Sequence, residues 1–296
     1  KENQNTQASV RELVGKFVYP LVSEKPAQQW HLVLQEAGLD SPPVVREFRQ
    51  AASWHVGRKG KEAPASFMSY NVNGLVARWE RAEGSNGFQT VVKVAEYPDV
   101  LCLQETKCTL TKLLRLPGFS IWCREHGYDH VYVHWTKADN HRGGVGYAGV
   151  AVLSKCRATE AVFGMQVDSS EARVMHLKFG DLSVVNVYAP CVGYDPEAHV
   201  RKKLFFNQLS KFLKAVAAQN KNLVLCGDLN VNPRRQDWHE KAFIHMRSLR
   251  EKSAVWEHPG TTEDEVNGYH GLLRQFSGVN VWERLHPAEN GMTWFP

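Results

Sequence analysis

Six short runs of apolar and β-branched residues punctuate the chain from Ser66 onward: FMSYNV, DVLCLQET, AGVAVLSK, VMHLKF, LSVVNVYAP and NLVLCGDLNV. Several are apolar almost without a break, the pattern of strands buried on both faces. Helical patterns lie between some of them. The clearest opens at Asp195-Pro196-Glu197, a cap with Pro at the first helical position. It predicts a helix with Val200, Leu204, Leu209, Phe212, Leu213 and Val216 facing inward. Lys202, Lys203, Lys211 and Lys214 are then left largely to solvent. Strands with outer helices over residues 66–296 predict a layered α/β domain.

Upstream, the stretch HVGRKGKEAPAS carries two Gly, a Pro and the basic cluster Arg58, Lys59 and Lys61, with little to bury. It reads as a basic Gly/Pro linker over 55–65, which makes 1–54 a separate extension. Helical spacing recurs there at Val10, Leu13, Val14, Phe17 and Val18, and again at Val44, Val45, Phe48 and Ala52. A helical extension of this kind is expected either to pack on the main domain or to bind a protein partner.

Composition narrows the classes. With 43% hydrophobic and 23% charged residues the chain is neither a disordered tail, a collagen-like fibre nor a disulfide miniprotein. A net charge of +5 permits a polyanionic partner without demanding one. The six cysteines form no C-x-x-C pair, and Cys102 and Cys226 sit inside apolar runs, so free thiols in a reducing, intracellular setting are expected. No window reaches 18 uncharged apolar residues, so no membrane span or membrane partner is expected. The polar start KENQNTQAS lacks a secretory signal and an initiator Met, which predicts a trimmed, processed or renumbered chain.

The chemistry collects where the strands end. FMSYNVNG ends in Asn71 and Asn73, DVLCLQET in Gln104, Glu105 and Thr106, LSVVNVYAP in Tyr188, and NLVLCGDLNVNP in Asp228, Asn230 and Asn232. A core strand has no reason to carry such residues, although any one of them alone is ordinary turn chemistry. Together they supply what a hard cation and a phosphate need. Mg2+ takes oxygen ligands, often one or two carboxylates, with water and phosphate completing its shell. The i, i+2 spacing of Asp228 and Asn230 points both side chains the same way on a continuing strand.

The segments NVNGLVAR, PDVLCLQETK, GYAGVAVLSK, EARV, VNVYAP, LVLCGDLNVNP and MTWF resemble, in order, the exonuclease III branch of the endonuclease/exonuclease/phosphatase superfamily, which contains the apurinic/apyrimidinic endonucleases. The resemblance covers residues 66–296. It implies a DNase I-like, four-layer α/β sandwich of two packed β-sheets flanked by helices, here with an N-terminal helical extension. It implies Mg2+-dependent hydrolysis of double-stranded DNA on the 5′ side of an abasic nucleotide, with Mn2+ as an alternative ion. By resemblance Glu105 is the metal-binding carboxylate, Asn71 a site amide beside it, and Asn73 lies where relatives place Asp or Asn near the metal. Tyr188 matches a phosphate-contacting tyrosine, Asp228 the residue that orients or deprotonates the attacking water, and Asn230 its phosphate-binding neighbour. Lys107, Tyr147 and Arg173 match DNA-facing positions. Trp294 matches an aromatic of the pocket for the extruded abasic sugar, in keeping with the need to take the target nucleotide out of the stack.

The departures point to a rival. The family pattern continues into an Arg-x-Asp-Tyr-like strand and a Ser-Asp-His motif, while this sequence reaches Pro296 before both. Cys191 follows VYAP where relatives have Asn, and Val76 stands in NGLVAR where Arg is usual. Either the sequence is a piece of a longer nuclease, or the chain is a pseudonuclease that serves as a nucleic-acid or ribonucleoprotein binding subunit. A third expectation keeps the chemistry and changes the substrate to RNA or a 3′-blocked end. Repair DNA exists in nucleus and mitochondrion, and the sequence separates neither.

Two sharper patterns are set aside. Gly144-Val145-Gly146-Tyr147-Ala148-Gly149 matches G-x-G-x-x-G, but a strand rather than a helix follows it, so no dinucleotide site is expected. Its loop carries Lys137, His141 and Arg142, which suit either a phosphate backbone or a hairpin tip. Cys123, His126, His130 and His134 are spaced as zinc ligands, yet HVYVHW alternates as a strand and puts His130 and His134 on one face with Tyr132. Asp129-His130 lies far from where the family's Asp–His pair belongs.

Overall fold

The computed structural model describes residues 44–48, 51–55, 63–81, 87–136, 147–165, 171–193, 195–220, 222–237 and 259–291. Two compact units emerge, one of residues 1–187 with 224–227, the other of 188–223 with 228–296.

In the first unit the strands are β1 (Val44–Phe48), β2 (Ala51–His55), β3 (Phe67–Asn71), β4 (Val100–Gln104), β5 (His130–His134), β6 (Val150–Ser154), β7 (Glu160–Phe163), β8 (Val174–Phe179) and β9 (Leu182–Tyr188). Helices α1 (Leu75–Trp79), α2 (Phe88–Val94), α3 (Leu110–Leu114) and α4 (Phe119–Glu125) come between the first of them. A mixed six-stranded sheet runs in the order β1-β2-β5-β6-β4-β3, with β3 and β4 parallel. A four-stranded sheet runs β10-β9-β8-β7, where β10 is Asn222–Asp228.

The side-chain period of two explains why the central runs read as continuously apolar. Leu101, Leu103, Val131, Val133, Ala151 and Leu153 turn to the helices and join Trp79, Phe88, Phe119 and Trp122 in one core cluster. Trp79 and Phe119 meet edge to face at 5.1 Å, and the Trp79 indole N–H donates to the Pro117 carbonyl at 2.9 Å. The alternate residues of the same strands face the second sheet. There the Gln104 amide donates to Asn186 Oδ1 at 2.7 Å, and Asn186 Nδ2 donates to the Leu103 and Ala151 carbonyls at 3.1 and 3.0 Å. His134 bonds the Val174 carbonyl through Nδ1 at 3.2 Å. Strands β3 and β10 are only partly buried, because each ends its sheet's order.

In the second unit α5 (Pro196–Gln219) packs against α6 (Glu263–Gln275), and α7 (Val281–Leu285) follows. The Asp195 carboxylate caps α5 by accepting from the Glu197 amide, with Pro196 in the first turn as expected.

Three expectations change. Residues 44–55 hold two strands, not a helix; β2 pairs antiparallel with β5, so the first sheet begins upstream of the assigned linker. A helix that short is marginal alone, and ladder hydrogen bonds to β5 outweigh it. Second, the inward face of α5 is Ala198, Lys202, Phe205, Phe206, Leu209, Leu213 and Val216, while Val200 and Leu204 are 60% and 56% exposed. Third, Lys202 is buried, because polar partners meet its ammonium there. The spacing at Val10–Val18, the loop with Lys137, His141 and Arg142, and Trp294 lie outside the described residues.

Candidate active site

Parallel strands β3 and β4 end side by side, so Asn71 pairs in register with Gln104 and both chains turn at the same level. The turn is built from left-handed residues. Asn73, Glu105, Lys107 and Ala148 have φ of 44°, 51°, 49° and 59°. Each such non-glycine residue costs about 1–2 kcal/mol and persists only where its surroundings impose it. Here main-chain bonds impose it: Gly74 N–H donates to the Glu105 carbonyl at 2.7 Å and Lys107 N–H to Ala148 at 3.0 Å. Gly149, at φ +80°, lies so close that a Cβ would come within 2.6 Å of Thr106 Oγ1.

The side chains converge as a result. Asn71 Nδ2 donates to Glu105 Oε1 at 2.8 Å, and Asn71 Oδ1 accepts from the Asn73 amide at 3.0 Å. The Lys107 ammonium bridges Glu105 Oε2 at 2.8 Å and Asn73 Oδ1 at 2.6 Å. Two oxygen donors thus already share one cationic group, which is the chemistry a hard divalent ion asks for. Glu105 retains 18% exposure, enough for exchange with solvent. Among the described residues no group of three His, Cys, Asp or Glu is placed to hold an ion, so the oxygens on hand here are those of Glu105 and Asn73. Cys108 nearby is buried, and desolvation pushes its thiol up to about 12.

Tyr147 and Arg173 also come together. The Arg173 guanidinium lies 5.7 Å from the Tyr147 ring centroid and is ion-paired with Glu171. Arg173 is only 5% exposed and Tyr147 41%, so the ring is the surface and the guanidinium its backing. Thr136 Oγ1 ties the two loops, donating to the Tyr147 carbonyl at 2.6 Å and accepting from Ala172 N–H at 3.3 Å.

In the second unit Tyr188 ends β9, 7% exposed, and Asp228 ends β10. Asn230, at φ 51°, closes an Asx turn in which its amide donates to Asp228 Oδ1 at 2.9 Å. Its Nδ2 donates to the Ala189 carbonyl at 2.8 Å, and its carbonyl accepts from Lys202 Nζ at 2.6 Å. Gly227 precedes this turn at φ +136°, and a Cβ there would stand 1.9 Å from the Val187 carbonyl oxygen.

Lys202, Glu265, Asn186 and Gly227 escape sequence reasoning as contributors. Only Glu265 leaves a signal, as the last residue of a Thr262-x-x-Glu265 capping box at the start of α6. The histidines assigned to a strand face lie inside: His130 and His134 are buried, and desolvation lowers both to about 4.

Residues 68–262 match the Endonuclease/Exonuclease/phosphatase family. The DNA repair nuclease APEX1 of Danio rerio is 31% identical over 78% of the chain and 66% of its own length. An exodeoxyribonuclease of Bacillus subtilis is 30% identical over 77% of the chain and 79% of its own. An AP endonuclease structure from Archaeoglobus fulgidus superposes with a TM-score of 0.59 at 25% identity, covering 78% of both chains. The chain spans just under two thirds of the Danio rerio protein's length.

Proposed function

Because the chain belongs to the endonuclease/exonuclease/phosphatase family, we propose that it hydrolyses phosphodiester bonds of duplex DNA on the 5′ side of abasic sites. The observation that carries this reading is the Glu105 corner, where two oxygen donors and a lysine are held together by four left-handed residues. Four of the eight positive-φ non-glycine residues among the described residues fall in this corner, three of them polar, and such clustering supports a functional role.

The roles are those that the family resemblance implies, and the chemistry of each group suits its own. Glu105 and Asn73 are the oxygens that would hold a divalent ion, with Asn71 fixing the carboxylate's rotation through Oε1. When bound, that ion supplies Lewis-acid stabilisation of charge at the phosphate and leaving oxygens. Asp228 accepts the proton of the attacking water; the new bond forms from water oxygen to phosphorus as the phosphorus–O3′ bond breaks. Asn230 holds one Asp228 oxygen with its N–H and so fixes the rotation of the carboxylate that meets the water. Tyr188 and Lys107 donate to phosphate oxygens. The Tyr147 ring, backed by Arg173, offers a flat face to a sugar or base.

The test is incision of a duplex carrying one synthetic abasic site, with Mg2+ and with chelator. Glu105→Ala and Asp228→Ala are each expected to lower kcat by at least ~100-fold, the scale of losing a positioned general base or charge stabiliser. Metal-independent cutting, or a fully active Asp228→Ala protein, would sink the mechanism.

A further inference from the structure

Lys202 is an odd residue to bury. It sits on the inward face of α5 at 2% exposure, and its ammonium has two oxygen partners: Glu265 Oε1 at 2.5 Å and the Asn230 carbonyl at 2.6 Å. The Phe206 ring lies 5.9 Å away on another side. Glu265 is saturated in turn. Its Oε2 accepts from Gly260 N–H at 2.8 Å, Thr262 N–H at 3.3 Å and Thr262 Oγ1 at 2.9 Å. Gly260 then returns to the same strand end, its carbonyl accepting from Asn232 N–H at 2.7 Å. Residues 230–232 are therefore gripped at both ends by one buried ion pair.

Such a pair is poorly explained as a stabiliser. Desolvating both charges offsets most of their attraction, and apolar residues of similar volume often serve as well. What an apolar pair cannot do is donate to the carbonyl of a left-handed residue. That carbonyl belongs to Asn230, whose amide orients Asp228 and whose side chain is anchored on Ala189.

We propose that Lys202 and Glu265 are positioning residues that fix the Asp228–Asn230 turn for hydrolysis. The inference rests on the function proposed above. It predicts a separation of turnover from stability. Lys202→Met/Glu265→Gln, which removes both charges and leaves one oxygen to accept from Gly260 N–H and the Thr262 cap, is expected to keep most of its urea midpoint and its KM while kcat falls about 10-fold or more. Amide exchange at Asn230 and Val231 is expected to rise about 10-fold with the rest of the chain unchanged. Lys202→Arg, which keeps a charged donor, is expected to restore much of both. Should the double variant not fold, Glu265→Gln alone keeps the shape and one acceptor oxygen while removing the charge, and the same two quantities are read on it. A folded variant with wild-type kcat and wild-type exchange at Asn230 overturns the proposal. A wild-type protein that incises no abasic duplex instead overturns the proposed function, and the exchange measurement still decides whether Lys202 sets the turn.

Discussion

The Lys107 ammonium lies 2.8 Å from Glu105 Oε2, on the side of the carboxylate away from Asn71. It also takes Asn73 Oδ1, so lysine and any divalent ion compete for the same two oxygens. Lys107→Met should therefore bind Mn2+ more tightly in the absence of DNA, by about 3- to 10-fold, because the pair is partly exposed and its Coulomb energy modest. Mn2+ titration followed by electron paramagnetic resonance measures this directly. Unchanged or weaker binding would show that the ion sits elsewhere.

The inter-sheet histidines make the fold sensitive to acid. His134 is lowered to about 4 by burial, so between that value and its ordinary 6.5 the unfolded chain binds a proton that the folded one refuses. Stability from this residue is present above the unfolded value and is lost as pH falls towards the folded one. Moving from pH 7 to pH 5 should remove about 2 kcal/mol for His134 alone, with His130 adding to the loss in the same direction. Urea midpoints at the two pH values should diverge less in His134→Gln than in the wild type.

Gly227 tolerates no side chain. Its positive φ is unfavourable for an L-residue, and the nearest obstacle to a Cβ is backbone, the Val187 carbonyl, which cannot rotate away. Gly227→Ala should lose about 4 kcal/mol or more, or fail to accumulate as folded protein. Soluble yield and thermal melting decide this. A normal melting temperature would mean that the β9–β10 approach is looser than described.

Asn186 is the centre of a buried, hydrogen-bonded knot with Gln104 and two main-chain carbonyls. Asn186→Ala removes the Gln104 acceptor and opens a cavity, which should cost about 2–4 kcal/mol in urea unfolding. Because Gln104 is the residue before Glu105, Mn2+ affinity should fall with it. A loss of stability alone would make the knot purely a packing device.

The strands were legible because their burial on two faces leaves nothing polar until they end, so Asn71, Glu105, Tyr188, Asp228 and Asn230 stand out. That same contrast misleads elsewhere. A lysine on a helix is read as solvated, and nothing in the letters around Lys202 announces that Glu265, 63 residues on, will meet it. Apolar residues three and four apart on a helix normally turn inward, which predicts Val200 and Leu204 on that side; on α5 the phenylalanines at 205 and 206 take it instead. At Val44–Ala52 a short apolar pattern fits helix and strand alike, and only the partner strand β5 decides. The Glu105 corner was visible as residue types but not as a shape, because left-handed backbone at Asn73, Glu105 and Lys107 has no compositional sign.

That backbone also sets an evolutionary bind. Glycine at Asn73, Glu105 or Lys107 would relieve the torsion and delete the group that reaches the ligand. A library screened for heat tolerance alone should therefore enrich glycine at these three positions, and each enriched clone should be a poorer catalyst. The corner is a place where robustness and chemistry draw on the same atoms, so natural variants are confined to side chains able to serve both.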